Sequence, residues 1–367
     1  MFIVEVTGHT HYDCGVLFAP GFVLSILVAL PSCQPRGSAQ PAVVSTPPPG
    51  PGRGAFTLKT IADLSVPGPP VRFDYQSLDT TSDRLYIAHL GAGTLLVVDV
   101  KNRQIVADLN GFSEVHGVWA VPELGRVYAS VTGRQQVAVV DVKALTVLAR
   151  IDGIDYPDGI AYAPNVRRVF VSDEHGGADF VIDVFADTLI ARIPLGGEAG
   201  NTVYDPVTAC ILVAVHQKNE IAVIDPETNT IVAHMPVPGI QAPHGIALDA
   251  PRRLAFVAGE SNARLAVLDL TSGKVIATYS VGADPDVLAF DPGWGRLYVG
   301  SESGTVSAFT EIEAPGGIHL VREGDFALPH AHTVAVDPRT HLIYFPLQDL
   351  DGGPVLRIMT ASPPGRG

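Results

Sequence analysis

Cysteine, positive charge and helical periodicity are scarce in this 367-residue chain, and each scarcity removes a class of function. Three cysteines, Cys14, Cys33 and Cys210, lie far apart without a C-x-x-C pair. That spacing supports neither a thiolate zinc site nor a disulfide framework. Lys and Arg number 24 against 38 Asp and Glu, giving a net charge of -14, and no basic run occurs anywhere. A nucleic-acid backbone is therefore excluded as a partner, and cations become the natural small ligands. There is no G-x-S-x-G, so a serine nucleophile on a strand-to-helix elbow is unsupported. The Gly-Gly pairs beginning at Gly176, Gly196, Gly316 and Gly352 sit in loops and lack the strand-to-helix context of a phosphate cradle.

What is present falls into four segments. Residues 1–33 include the apolar run "GVLFAPGFVLSILVALPSC", which suits an export signal better than a membrane span and ends in Leu30-Pro31-Ser32-Cys33. This ending resembles a bacterial lipoprotein box, which implies lipidation at Cys33. Residues 34–54, rich in Pro, Gly and Ser, read as an extended tether. Residues 55–361 form the folded unit and 362–367 a tail. The expected location is the cell envelope, with the membrane touched only through a lipid or signal anchor.

The folded unit repeats itself. Tyr86, Tyr128, Phe170, Leu212, Phe256, Tyr298 and Tyr344 centre seven similar segments, spaced by 42, 42, 42, 44, 42 and 46 residues. Each copy holds four short apolar stretches separated by turn residues, the signature of a β-propeller blade. The segment "TLKTIADLSV" at 57–66 reads as a fourth strand with no blade before it, and the last copy ends after its third strand. The expectation is an all-β, seven-bladed ring in which the N-terminal strand completes the last blade and leaves no open edge.

"IAVIDPETNTIVAHMPVPG" and the "RLYV" type of second strand resemble the YVTN-repeat, YncE-like propellers of bacteria over about residues 55–361. The resemblance implies the fold and leaves function open, because one scaffold hosts many activities.

Functional groups on a propeller are read by aligning its copies. Five residues before each Asp-Pro-like turn stand Asp74, His116, Asp158, Gly200, His244, Asp286 and His332. Only Gly200 breaks the His/Asp alternation. The end of each second strand adds His89, Asp173, Glu174, His175, His216, Glu260 and Glu302, while His330 stands two residues before His332. Neutral imidazole and carboxylate together suit a divalent metal, with His116, His244, His330 and His332 as candidate ligands, and the motif "PHAHTVAVD" marks the seventh copy as the first place to look.

Three other readings stay open at this point. A His oriented by Asp could serve as general base of a lactonase-like hydrolase or a lyase. The blade faces could dock a protein, or the ring could hydrogen-bond to itself with no ligand. Asp99, Asp141, Asp183, Asp225 and Asp269 recur after the third strands, where aspartate caps its own turn, and are expected to be structural. His234, His319 and His341 are expected to be solvated, and the chain to be a monomer.

Overall fold

The computed structural model describes residues 56–314 and 317–363. It is an all-β, seven-bladed propeller made of seven antiparallel sheets of four strands each. Blade one runs through Gln76–Asp79, Arg84–His89, Thr94–Asp99 and Gln104–Asn110. Blades two to six repeat that meander from Val115, Pro157, Ala199, Pro243 and Pro285. Blade seven takes three strands, Ala335–Val336, Leu342–Leu350 and Gly353–Ala361, and receives Leu58–Ser65 as its fourth.

The closing strand pairs from Leu58 against Ala361 to Ser65 against Val355, and Arg357 grips Asp63 with two hydrogen bonds of 2.8 Å. The three-plus-one closure expected from the repeat is therefore present. The export segment, Cys33 and the tether lie outside the described residues. Among the described residues no helix is long and apolar enough to cross a membrane.

Period-two alternation explains why the sheets stack face to face. Each second strand presents its central aromatic or aliphatic residue to one neighbouring blade and the flanking residues to the other. Tyr86, Tyr128, Phe170, Leu212, Phe256, Tyr298 and Tyr344 are all at most 2% exposed. One cluster joins Leu85, Ile87, Leu96 and Val98 of blade one to Tyr344, Leu356 and Ile358 of blade seven. Burying each such side chain stabilises the ring by roughly 1.5–3 kcal/mol, so the core lies between blades and not around a centre.

The aspartates after the third strands do cap their turns. Asp99, Asp141, Asp183, Asp225 and Asp269 each accept a backbone N–H two or three residues on, at 2.8–2.9 Å. His341 departs from expectation: it hydrogen-bonds Asp291 at 2.7 Å and stacks on Trp294 at 4.0 Å, so it is a joint between blades six and seven.

Candidate functional site

The ring position is built by a recurring bulge. In blades two to six the first strand loses register between Val115 and Val118, Pro157 and Ile160, Ala199 and Thr202, Pro243 and Ile246, and Pro285 and Leu288. His116, Asp158, Gly200, His244 and Asp286 sit inside these bulges. An unpaired bulge residue is re-aimed out of the sheet, here toward the channel mouth.

Close approach of neighbouring blades then brings the aimed groups together. A Cβ on Gly117 would lie 1.9 Å from the carbonyl oxygen of Asp158, and one on Gly245 would lie 1.9 Å from that of Asp286. Only glycine lets those backbones meet. Gly200 has its own reason: a Cβ there would stand 2.8 Å from His244 Cα and 3.0 Å from His216 Nε2. The gap in the His/Asp alternation is the space through which His216 reaches its neighbour.

The result is a cavity of about 430 Å³ lined by seven carboxylates, Asp74, Glu114, Asp158, Glu174, Glu260, Asp286 and Glu302. Arg72, His116, His244, Tyr75, Tyr156 and Leu90 complete the wall. A second cavity of about 390 Å³ adjoins it, sharing Glu260 and adding Glu198, His216 and Gln217.

Counting from the central residue of each second strand separates the functional from the structural. Four positions on, just past the strand, Leu90, Glu174, His216, Glu260 and Glu302 line one of the two cavities, whereas Thr132 and Gln348 in the other two blades do not. His89 and Asp173 stand three positions on, as the last residues of their strands. His89 is fully buried and stacked on Phe73 at 4.0 Å, and burial depresses its pKa. Asp173 caps the Tyr156 and Gly176 amides. Neither lines the described cavities.

His330, the other member of the H-x-H pair, is exposed in a turn with φ +63° and also lines neither. His332 is buried, and its carbonyl accepts from the Val287 N–H at 3.4 Å. The structure therefore brings Asp74, His116, Asp158, Glu174, His216, His244, Glu260, Asp286 and His332 to the mouth and leaves His89 and His330 away from it.

Four wall residues of the first cavity, Arg72, Tyr75, Glu114 and Tyr156, lie outside the aligned positions. Tyr75 donates its hydroxyl proton to Asp158 Oδ2 at 3.2 Å and stands 3.2 Å from His244 Nε2. The Tyr156 hydroxyl lies 3.3 Å from His116 Nε2, while His116 Nδ1 is 2.9 Å from the Glu114 carbonyl oxygen. Arg72 pairs with Glu302 at 2.6 Å and approaches Asp74 and Asp286 at 3.8 Å each. The signal for Tyr75 was available: the residue after the ring position is glycine in blades two, three and five, and only blade one carries an aromatic there.

Crowding carboxylates in a poorly solvated mouth disfavours their charge. Burial pushes Asp158 up to about 7 and, with the Asp286 carboxylate beside it, lifts Asp74 well above the ordinary range. Burial also raises Glu174 and Glu260. The His244–Asp286 contact, at 3.3 Å, behaves oppositely. Burial opposes both charges, yet their hydrogen bond and attraction prevail, holding His244 at about 10 and Asp286 at about 2. His216 is kept neutral, pushed down to about 4 by burial and by the charge of His244.

Among the described residues, two sets of donors could hold a metal ion. His216, His244 and Glu260 form one, and Asp74, Asp286 and His332 the other, each with ligand atoms within 4.8 Å of one another. In the first set His216 Nε2 and His244 Nδ1 face each other at 3.1 Å. Two ligands on a tetrahedral ion at roughly 2.0–2.1 Å would stand about 3.3 Å apart, so the spacing needs almost no adjustment.

No protein-family model matches the chain, and no curated protein matches it. Among solved structures it is similar to hydrazine synthase of Kuenenia stuttgartiensis, with a TM-score of 0.68 and 14% identity over 83% of this chain and 97% of that one. It is also similar to selenomethionine-substituted virginiamycin B lyase of Staphylococcus aureus, with a TM-score of 0.66 and 13% identity over 83% of this chain and 99% of that one. At such identity the likeness shows the fold alone.

Proposed function

We propose that this chain is an exported β-propeller of the YVTN-repeat type whose channel mouth binds a divalent transition metal through His216, His244 and Glu260 and presents it to a small ligand. One observation carries the reading. The two imidazoles point nitrogen to nitrogen at 3.1 Å, and each has a carboxylate behind it: Glu198 lies 3.7 Å from His216 Nδ1 and Asp286 lies 3.3 Å from His244 Nε2. A carboxylate behind each ligating histidine is how proteins fix the tautomer and raise the basicity of a metal site. Two nitrogens and one oxygen suit Zn²⁺, with a fourth position open toward the cavities. The ion would replace the proton now shared between the rings.

Calorimetric titration of the metal-stripped protein with Zn²⁺ tests this. One ion should bind, and His216→Ala or His244→Ala should each weaken it by at least about tenfold. Equal Zn²⁺ affinity in wild type and both variants would sink the proposal.

A second reading, catalysis by a hydrolase or lyase at the same mouth, has one specific support. The Tyr75 hydroxyl sits between Asp158 and His244, so a proton could pass between a wall carboxylate and the imidazole. Ester and lactone substrates offered to the metal-loaded protein should be turned over, with Tyr75→Phe slowed. A blank screen removes this reading and leaves the metal site untouched.

A further inference from the structure

The two donor sets differ in chemistry, and the second is not explained by the first. We infer that Asp74, Asp286 and His332 form a separate site for a harder divalent cation, of the Mn²⁺ class, at the seam where blades six, seven and one meet. All three residues are buried, at 2%, 7% and 5% exposure. His332 Nε2 is enclosed and finds no hydrogen-bond partner. In either tautomer that nitrogen is unsatisfied, which costs roughly 1–3 kcal/mol unless something meets it. A ring nitrogen of His332 lies with one oxygen from each aspartate inside a 4.8 Å cluster. No aspartate oxygen hydrogen-bonds Nε2, and a cation would meet all three groups at once.

Beside charged His244, 3.3 Å from Asp286 Oδ1, the other positive charge at the cluster is that of Arg72. Its Nη2 stands 3.8 Å from Oδ2 of both Asp74 and Asp286, too far to hydrogen-bond, because Nη1 is held by Glu302 at 2.6 Å. Two carboxylate oxygens and one imidazole make a harder set than the two imidazoles and one carboxylate beside it, which selects Mn²⁺ over Zn²⁺ relative to that neighbour. Asp286 couples the two sites. Its Oδ1 faces His244 Nε2, while Oδ2 faces the Arg72 side.

Mn²⁺ titration of the full chain, followed by the loss of the free-ion electron paramagnetic resonance signal, tests the site directly. Wild type should take up one Mn²⁺ with Zn²⁺ already bound. Asp74→Asn and His332→Gln should each weaken Mn²⁺ by at least about tenfold while leaving Zn²⁺ uptake in place. Arg72→Met should do the reverse and tighten Mn²⁺, because a repelling charge is removed. His216→Ala should leave Mn²⁺ uptake unchanged, so failure of the first metal reading and failure of this one are told apart. The inference is overturned if folded Asp74→Asn, checked by its circular dichroism melt, binds Mn²⁺ as wild type does. It is equally overturned if Arg72→Met weakens Mn²⁺ or if neither protein binds it.

Discussion

The two ends of the propeller carry rings of aspartate that look alike in sequence and differ in physics. At the end opposite the mouth, Asp79, Asp205, Asp249, Asp291 and Asp337 are 1–3% exposed, and each is saturated. Asp205, for example, accepts from the Val207 N–H at 3.1 Å, the Thr208 hydroxyl at 2.6 Å, and Arg253 at 2.8 Å on both oxygens. At the mouth, Asp74 is equally buried but meets only Arg72 at 3.8 Å and His116 at 4.0 Å. Repetition of a residue around a ring is thus no evidence of function.

Breaking the saturated ring should cost most. Asp205→Ala strands Arg253 and uncaps its turn, so urea denaturation should show a loss of about 3–5 kcal/mol, as for any buried pair stripped of one partner. Asp74→Asn, its counterpart at the mouth, should leave stability equal or higher, because burial and the neighbouring Asp286 carboxylate already disfavour its charge. A comparable loss at both positions would erase the contrast between the two ends.

A buried carboxylate within a blade sharpens the comparison further. Asp179 is fully buried, accepts from the Thr202 hydroxyl at 3.2 Å, and leaves Oδ1 without a partner. Burial pushes its pKa from 3.8 up to about 7. The folded value lies above the unfolded one, so its contribution is fully present below pH 3.8 and is lost as pH rises through about 7. Asp179→Asn should therefore be the more stable protein at pH 8, by on the order of 2–4 kcal/mol, and should match wild type near pH 3.5. Thermal melts at the two pH values check this, and a pH-independent difference would contradict it.

The repeat made the ring legible and hid its exceptions. Blade number, strand count and closure follow from the spacing of Tyr86 to Tyr344, because each copy must bury the same face. The six His and Asp of the ring position follow from the same alignment. His89 misleads it: grouped by proximity to the strand end, it looks like His216, but His89 is the last residue of its strand and His216 opens the 3-10 turn that follows one. Arg72 and Tyr156 were illegible for the opposite reason: both stand two residues before the ring position, where the residue type changes from blade to blade, and alignment rewards a recurring type. His330 was drawn in by its nearness to His332, yet a residue at φ +63° belongs to a turn, which breaks the alternation that pairs i with i+2.

The smallest expected effect tests the outer turns of the saturated end. Asp225 accepts the Glu227 N–H at 2.8 Å and the Thr228 hydroxyl at 2.9 Å, and the turn it caps holds Asn229 at φ +56°. Water can replace these bonds at an exposed turn, so Asp225→Ala should cost only roughly 0.5–1.5 kcal/mol in urea. Asp269, one blade on, makes the matching bonds to Thr271 and Ser272 at 2.8 and 2.9 Å, so Asp269→Ala should cost the same. Because the two turns share no partner, the double variant should lose the sum of the two within about 0.5 kcal/mol. A deficit larger than the sum would mean that these caps hold neighbouring blades together as Asp205 does, and that the outer ring is no less structural than the inner one.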